Sequence, residues 1–316
     1  MNINEFNQQF YKSLDGAVQS MGGRIDKVSV SKNNQVLQGI AIRFTGSSLG
    51  VTIYPQMYFE DYKNGIPMSD IISGIQTEIL RTKPPEVNIS NFSKEKATTH
   101  LRASIVNYEN NKAWLKDIPH ERLADLAVFA KWDFGNNYAA KVNNFLLGQM
   151  GLTKEEALKI AKSNTGRSAE LKSMNEVMEG IIKEAVDDDG LAADLAAGLE
   201  DSPLYVLTTE SGFDGASLIA DKKVMRQVHE ELGEDFYILP SSIHEVILVG
   251  KSDVDGDVDS LREMVQSVNE REVPIEDRLS DQVYEFNGNS LILAGMDELK
   301  EEHNIADMFH HHHKSR

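Results

Sequence analysis

A chain of 316 residues, 41% of them apolar and 26% charged, is long enough to build two domains with a substantial core. It contains no cysteine, which excludes disulfides, thiolate zinc sites and cysteine nucleophiles and suits a reducing compartment. The net charge of −18 sits in one half: residues 1–150 hold 16 basic and 14 acidic side chains, residues 151–316 hold 16 and 36. Phosphates would be repelled by that second half, which argues against direct nucleic-acid binding through it.

The start, MNINEFNQQF, is polar and lacks the basic, apolar pattern of a leader. No apolar run reaches the roughly 18 residues that a membrane span needs. A soluble, cytoplasmic chain is therefore expected. Phe6, Phe10, Leu14, Val18 and Met21 recur at helical spacing, and Gly22-Gly23 ends the helix. Val28 and Val30, then Ile40, Ile42 and Phe44, alternate on either side of Asn33-Asn34 and predict a β-hairpin. Val51 to Tyr54 predicts a third strand. Two helices are expected over Met57 to Lys63 and Met68 to Leu80, followed by a loop at Lys83-Pro84-Pro85. Leu101 to Tyr108 and Leu123 to Trp132 read as strands around a helix at Asn110 to Lys116, and Ala139 to Gly148 as one more strand.

Thr153 and Glu156 form a capping box that opens a helix, and Leu171, Met174, Met178, Ile181 and Ile182 mark another. Asp187 to Asp201 is acidic, rich in alanine and punctuated by glycine, which reads as a linker or mobile loop. The most ordered stretch runs from Leu204 to Val249. Leu204 to Leu207 is strand-like. Val224, Val228 and Leu232 carry a helix that Gly233 stops, and Phe236 to Leu239 and Glu245 to Val249 pair as strands. The pattern predicts a sheet with a helix on one face. Val258, Leu261, Val265 and Val268 mark a last helix, and Tyr284 to Phe286 turns at Asn287-Gly288 into Leu291 to Leu293. The expected fold is α+β: a mixed lobe over 1–150, a helical connector with an acidic loop over 151–203, and a lobe over 204–308 with antiparallel strands. Residues 309–316 form a tail whose four histidines are either native or an added tag.

Few motifs carry chemistry. His244 follows Ser242 by two residues, too close for an ordinary nucleophile–base pair, and no GxSxG elbow occurs. His120 precedes a strand, and His229 lies on the flank of a helix. Asp253 to Asp257 resembles a calcium loop only superficially, because Val258 stands where the loop needs glycine and Met264 where it needs glutamate. Gly212-Phe213-Asp214-Gly215 has the spacing of a backbone-clamping GxxG, but Asp214 would repel phosphate. A tight turn with positive φ is the expected use of those glycines. No cofactor and no metal are expected.

The blocks GIAIRF, VTIYPQMYFEDYKNGIPMSDII, DIPHERLADLAVFAKW, LYVLTTESGFDGASLI, LGEDFYILPSSIHEVILV and VNEREVPIEDRLSDQVYEFN resemble, in order, an uncharacterised domain-of-unknown-function family (family 5688) of gut anaerobic bacteria. A fainter resemblance joins the late strand–turn–helix–strand unit to another unannotated bacterial family. The resemblance implies a bacterial, soluble protein and brings no activity, so no catalytic residue is carried over from it. Two function classes stay open. One is a non-enzymatic binding or regulatory protein whose acidic second half meets a basic protein partner, with a mobile-element inhibitor imitating nucleic acid as its narrower form. The other is a hydrolase or transferase with a site between the lobes, for which His120, His244, Asp214 and Glu245 are the candidates.

Overall fold

Asn2 starts the first helix by accepting the amide of Glu5 while the Glu5 carboxylate reaches back to the Asn2 amide. The helix that follows, α1 (Ile3–Ser20), buries Phe6, Phe10, Leu14 and Val18 along one stripe. The structure is a computed structural model that describes residues 1–44, 50–81, 91–135, 138–240, 242–254 and 257–295. The Lys83-Pro84-Pro85 loop, Asp255-Gly256 and the histidine tail lie outside the described residues.

The chain divides into two compact units. The first comprises residues 1–93 and 134–139, the second residues 94–133 and 140–316. In the first unit β1 (Gly23–Lys32) and β2 (Gln35–Phe44) pair antiparallel across Asn33-Asn34. Asn34 takes a positive φ there, as the short hairpin turn requires. β3 (Val51–Ile53) adds to β2, and a 3-10 turn leads into α2 (Phe59–Lys63) and α3 (Met68–Arg81). The α1 stripe packs with Ile25, Ile40, Ile42 and Ile53 of the sheet and with Ile71, Ile72, Ile75 and Ile79 of α3.

The second unit opens with α4 (Lys94–His100), β4 (Leu101–Asn107) and α5 (Tyr108–Leu115). The strand expected over Leu123 to Trp132 is instead a hairpin, β5 (His120–Leu123) and β6 (Leu126–Gly135), because Ala124 adopts a positive φ and turns the chain. β7 (Tyr138–Lys141) pairs with β6. The strand expected over Ala139 to Gly148 stops at Lys141. Asn143 then caps α6 (Asn144–Met150) by accepting the Leu146 amide.

After α7 (Lys154–Gly166) come β8 (Ala169–Ser173), α8 (Met174–Ala185), α9 (Asp189–Ala197) and β9 (Leu204–Thr209). Leu171 therefore lies in a strand rather than a helix, since β8 finds β9 as its antiparallel partner. The acidic stretch read as a loop holds α9, for which the Asp188 carboxylate caps Gly190 and Leu191 ahead of an alanine- and leucine-rich run. A 3-10 segment over Gly215–Ala220 precedes α10 (Lys222–Leu232), β10 (Phe236–Leu239), β11 (Val246–Gly250), α11 (Val258–Arg271), β12 (Tyr284–Phe286) and β13 (Leu291–Leu293).

The late strands form a six-stranded antiparallel sheet in the order β13-β12-β10-β11-β9-β8. One face, with Phe236, Ile238 and Leu248, packs on Val224, Met225 and Val228 of α10. It also packs on Ile105, Leu126 and Val128 of the β4–β6 sheet. The other face, with Tyr237, Leu239 and Val249, packs on Leu261 and Val265 of α11. Both faces are covered, not one, which is why Phe236 to Leu239 reads as an unbroken apolar run. The shared core keeps β4 and most of β6 in the same compact unit as the late sheet. The fold is α+β. No helix among the described residues is long and apolar enough to cross a membrane.

Val228 is 4% exposed between α10 and the sheet. A carboxylate there would have no partner, so Val228→Asp should cost about 4 kcal/mol or more, close to the whole stability of an ordinary domain. Urea unfolding followed by circular dichroism checks it; an unchanged midpoint would contradict the packing.

Candidate functional site

The turn after β9 is where sequence-distant polar groups meet. Gly212 takes φ +70 and Asp214 takes φ +55, so the chain reverses in two left-handed steps. At Gly215 the backbone then passes so close to its neighbours that a Cβ would stand 2.3 Å from the His244 carbonyl oxygen and 2.7 Å from Thr208 Cα. Only glycine fits that crossing. The same His244 carbonyl accepts the Thr208 hydroxyl at 3.0 Å.

This crossing aims Asp214 at the β4–β6 sheet. Ser104 of β4 donates to Asp214 Oδ1 at 2.7 Å, and Lys131 of β6 donates to Oδ1 at 2.7 Å and Oδ2 at 2.9 Å. The Lys131 and Asp214 side chains are only 23% and 20% exposed, so water screens this pair weakly. On the other side the Asp214 amide donates to His244 Nδ1 at 3.4 Å. That leaves the ring proton on Nε2, which faces Asp277 Oδ1 at 3.3 Å. Phe213 packs edge-on against the imidazole, with ring centroids 5.5 Å apart.

Of the four residues singled out from the sequence, Asp214 and His244 come together through the Asp214 backbone. His120 does not join them. Its Nδ1 lies 2.8 Å from the Ile118 carbonyl, its ring rests against Tyr108, and it forms no bond to either candidate. Glu245 is half-buried and makes no hydrogen bond or ion pair among the described residues. Ser104, Lys131 and Asp277 were missed. Lys131 and Asp277 lie inside the blocks DIPHERLADLAVFAKW and VNEREVPIEDRLSDQVYEFN, but no local spacing marks either residue as a partner of Asp214 or His244.

Chemically this arrangement is closed upon itself. The Ser104 hydroxyl donates a hydrogen bond to a carboxylate already held by an ammonium, and both ring nitrogens of His244 have neighbours within the chain. Asp214 Oδ1 accepts two hydrogen bonds and Oδ2 one, so three of the carboxylate's roughly four lone-pair positions are used within the chain.

A second buried polar cluster gathers on Asp125, at the turn between β5 and β6. Tyr284 of β12 donates to Oδ1 at 2.5 Å, and Ser280 and Asn107 donate to Oδ2 at 2.7 and 3.1 Å. Burial raises the Asp125 carboxyl above its ordinary 3.8, opposed by the hydrogen bonds from Tyr284 and Ser280. Burial also pushes the Tyr284 phenol well above its ordinary 10.0, so it remains a donor.

A model of a family of unknown function, DUF5688, matches residues 3–288. The chain belongs to that family. No curated protein and no solved structure matches it. Asp214, His244, Lys131 and the Asp125 cluster all fall within the DUF5688 span. The likeness supplies no reaction for them. Among the described residues no three histidine or carboxylate side chains are grouped so that they could hold a metal ion.

Because its carboxyl is raised, folded Asp125 binds a proton more readily than unfolded Asp125 does. Its contribution to stability grows as pH falls through that raised value toward 3.8, and is lost as pH rises back through it. The stability of the natural chain relative to Asp125→Asn should therefore increase between pH 7 and pH 4, as read from urea unfolding at each pH. A difference that stays constant or shrinks would contradict the assignment.

Proposed function

We propose that this chain is a protein-binding module whose α8–α9 helical pair receives a basic, amphipathic segment of a partner protein. One observation carries the reading. Met178 and Ile181 on α8 are 38% and 54% exposed, and Leu191 and Leu195 on α9 are 53% and 47% exposed. Each pair lies one turn apart and so shares a face of its helix. α8 buries no residue fully, and α9 buries only Ala192. Around these apolar stripes, residues 174–201 carry nine carboxylates and a single basic side chain, Lys183.

Apolar side chains left in water at helical spacing suit a partner that lays its own apolar face on them. The carboxylates select for Lys and Arg on the partner's rim, speed encounter and repel acidic competitors. A nucleic-acid mimic is the narrower form of this reading, with carboxylates standing in for phosphates. The exposed methionine, isoleucine and leucines favour a partner that offers apolar side chains as well as charge. A hydrolase or transferase at Asp214 and His244 has less support, because their polar groups are engaged with one another and with Ser104, Lys131 and Asp277.

The test is fluorescence anisotropy of the full chain with a labelled amphipathic peptide of alternating Leu and Lys/Arg turns. Binding should be saturable and weaken as salt shortens the screening length from about 30 Å at 0.01 M to about 8 Å at 0.15 M. Ile181→Ser with Leu195→Ser should weaken it roughly tenfold, the order expected for two exposed apolar side chains lost from a contact. Equal affinity in a chain with Glu176, Glu179, Glu184 and Asp187 all changed to Lys would refute the proposal.

A further inference from the structure

The acidic half of the chain gathers a group of its lysines around one cavity. A cavity of about 930 Å³ in the second unit is lined by Arg122, Lys154, Lys159, Lys162, Lys222 and Lys223. Five of the 16 basic side chains in residues 151–316 face it, against two of the 36 acidic ones. A solubilising surface would mix its charges, whereas this one sorts them.

The geometry follows from two helices. Lys154, Leu158 and Lys162 recur every fourth residue along α7, and Lys159 lies one place beyond Leu158 on the same side. Lys222 and Lys223 form the first turn of α10, where the helix dipole already favours negative charge. Leu158, Ile219, Met225, Phe286 and Leu291 supply apolar surface, while Ser163, Asn289 and Ser290 offer hydrogen-bonding groups.

The cavity's own carboxylates do not neutralise it. Glu121 takes Lys162 at 2.7 Å, and Glu155 stands 3.7 Å from Lys154. Asp221 spends an oxygen on the Lys223 amide at 2.8 Å to cap α10. Arg122 stacks over the Tyr108 ring at 3.7 Å and donates to the Ala124 carbonyl. Lys159, Lys222 and Lys223 are exposed and have no ion pair among the described residues. Three unpaired ammonium groups thus face a partly apolar cavity in a protein whose net charge is −18.

We infer that this cavity binds a phosphorylated small molecule of nucleotide size, with its phosphates on Lys159, Lys222 and Lys223 and its less polar body against Leu158, Met225 and Leu291. Ammonium groups on flexible stems act as point charges for phosphate oxygens. The volume lies within the range of small-molecule sites, about 300–1,000 Å³. The surrounding negative field works against extended polyanions, which would have to cross it, and favours a ligand compact enough to lie within the cavity. The inference is independent of the α8–α9 binding surface, which uses none of these residues.

Calorimetry on the full chain tests it with four probes: a nucleoside diphosphate, pyrophosphate, inorganic phosphate and the unphosphorylated nucleoside. The nucleoside diphosphate should bind saturably, pyrophosphate and phosphate progressively more weakly, and the nucleoside not measurably. Lys159→Ala, Lys222→Ala and Lys223→Ala should each weaken nucleoside diphosphate binding roughly tenfold, as expected for a lost charged hydrogen bond. Lys183→Ala, outside the cavity, should leave it unchanged. On the unaltered chain, bound nucleoside diphosphate should also protect Lys159, Lys222 and Lys223 from amine acetylation, read by mass spectrometry. No saturable heat with any probe, tightest binding by inorganic phosphate alone, or acetylation unaffected by the nucleotide would overturn the inference. So would tighter binding of a short oligonucleotide than of the diphosphate.

Discussion

The second unit depends on the crossing of Gly215 beneath the His244 carbonyl. There the turn after β9 passes so close to the segment between β10 and β11 that a side chain has no room. The crossing fixes Asp214 in a left-handed conformation and points its carboxylate away from its own sheet, into the hands of Ser104 and Lys131. The polar tie then stands beside an apolar one, the core that Ile105, Leu126 and Val128 share with Leu207, Phe236 and Ile238. A half-buried ammonium stripped of its carboxylate would be left with a desolvation cost and nothing to offset it. The pair therefore specifies how the two sheets meet, and the apolar contacts supply the bulk of the energy.

The Asp125 cluster joins the same two sheets from another side, through Tyr284 of β12 and the turn between β5 and β6. Two carboxylates on different turns thus hold one interface by different means. Asp214 is paired with the Lys131 ammonium. Asp125 is surrounded by neutral donors, and burial raises its carboxyl. The charges that remain are sorted in the same way, with carboxylates along α8 and α9 and lysines facing the cavity between α7 and α10. Net charge alone describes neither surface.

Local chemistry was legible wherever one residue dictates the backbone. Asn33-Asn34 and Asn287-Gly288 mark their hairpins, with Asn34 and Gly288 at positive φ, and Gly233 ends α10 in the left-handed conformation. The capping box at Thr153 and Glu156 opens α7. Elements defined by their neighbours were not legible. Ala169–Ser173 is a strand only because β9 lies beside it, and its single large apolar residue, Leu171, fits the helical spacing of the residues that follow. The candidate site divided along the same line. Asp214 was marked by the GxxG spacing around it and His244 by its nearness to Ser242. Ser104 and Lys131 lie 110 and 83 residues from Asp214, and Asp277 lies 33 residues from His244, distances at which no periodicity operates.

The central claim, that Asp214 and Lys131 tie the two sheets of the second unit together, is tested most directly by a double-mutant cycle. Urea unfolding of the natural chain, Asp214→Asn, Lys131→Met and the double variant gives the coupling between the two side chains. A coupling of about 1–3 kcal/mol is predicted, with the double variant more stable than the sum of the single losses implies. Losses that add to within about 0.5 kcal/mol would contradict the claim, because two side chains that do not feel one another hold nothing together.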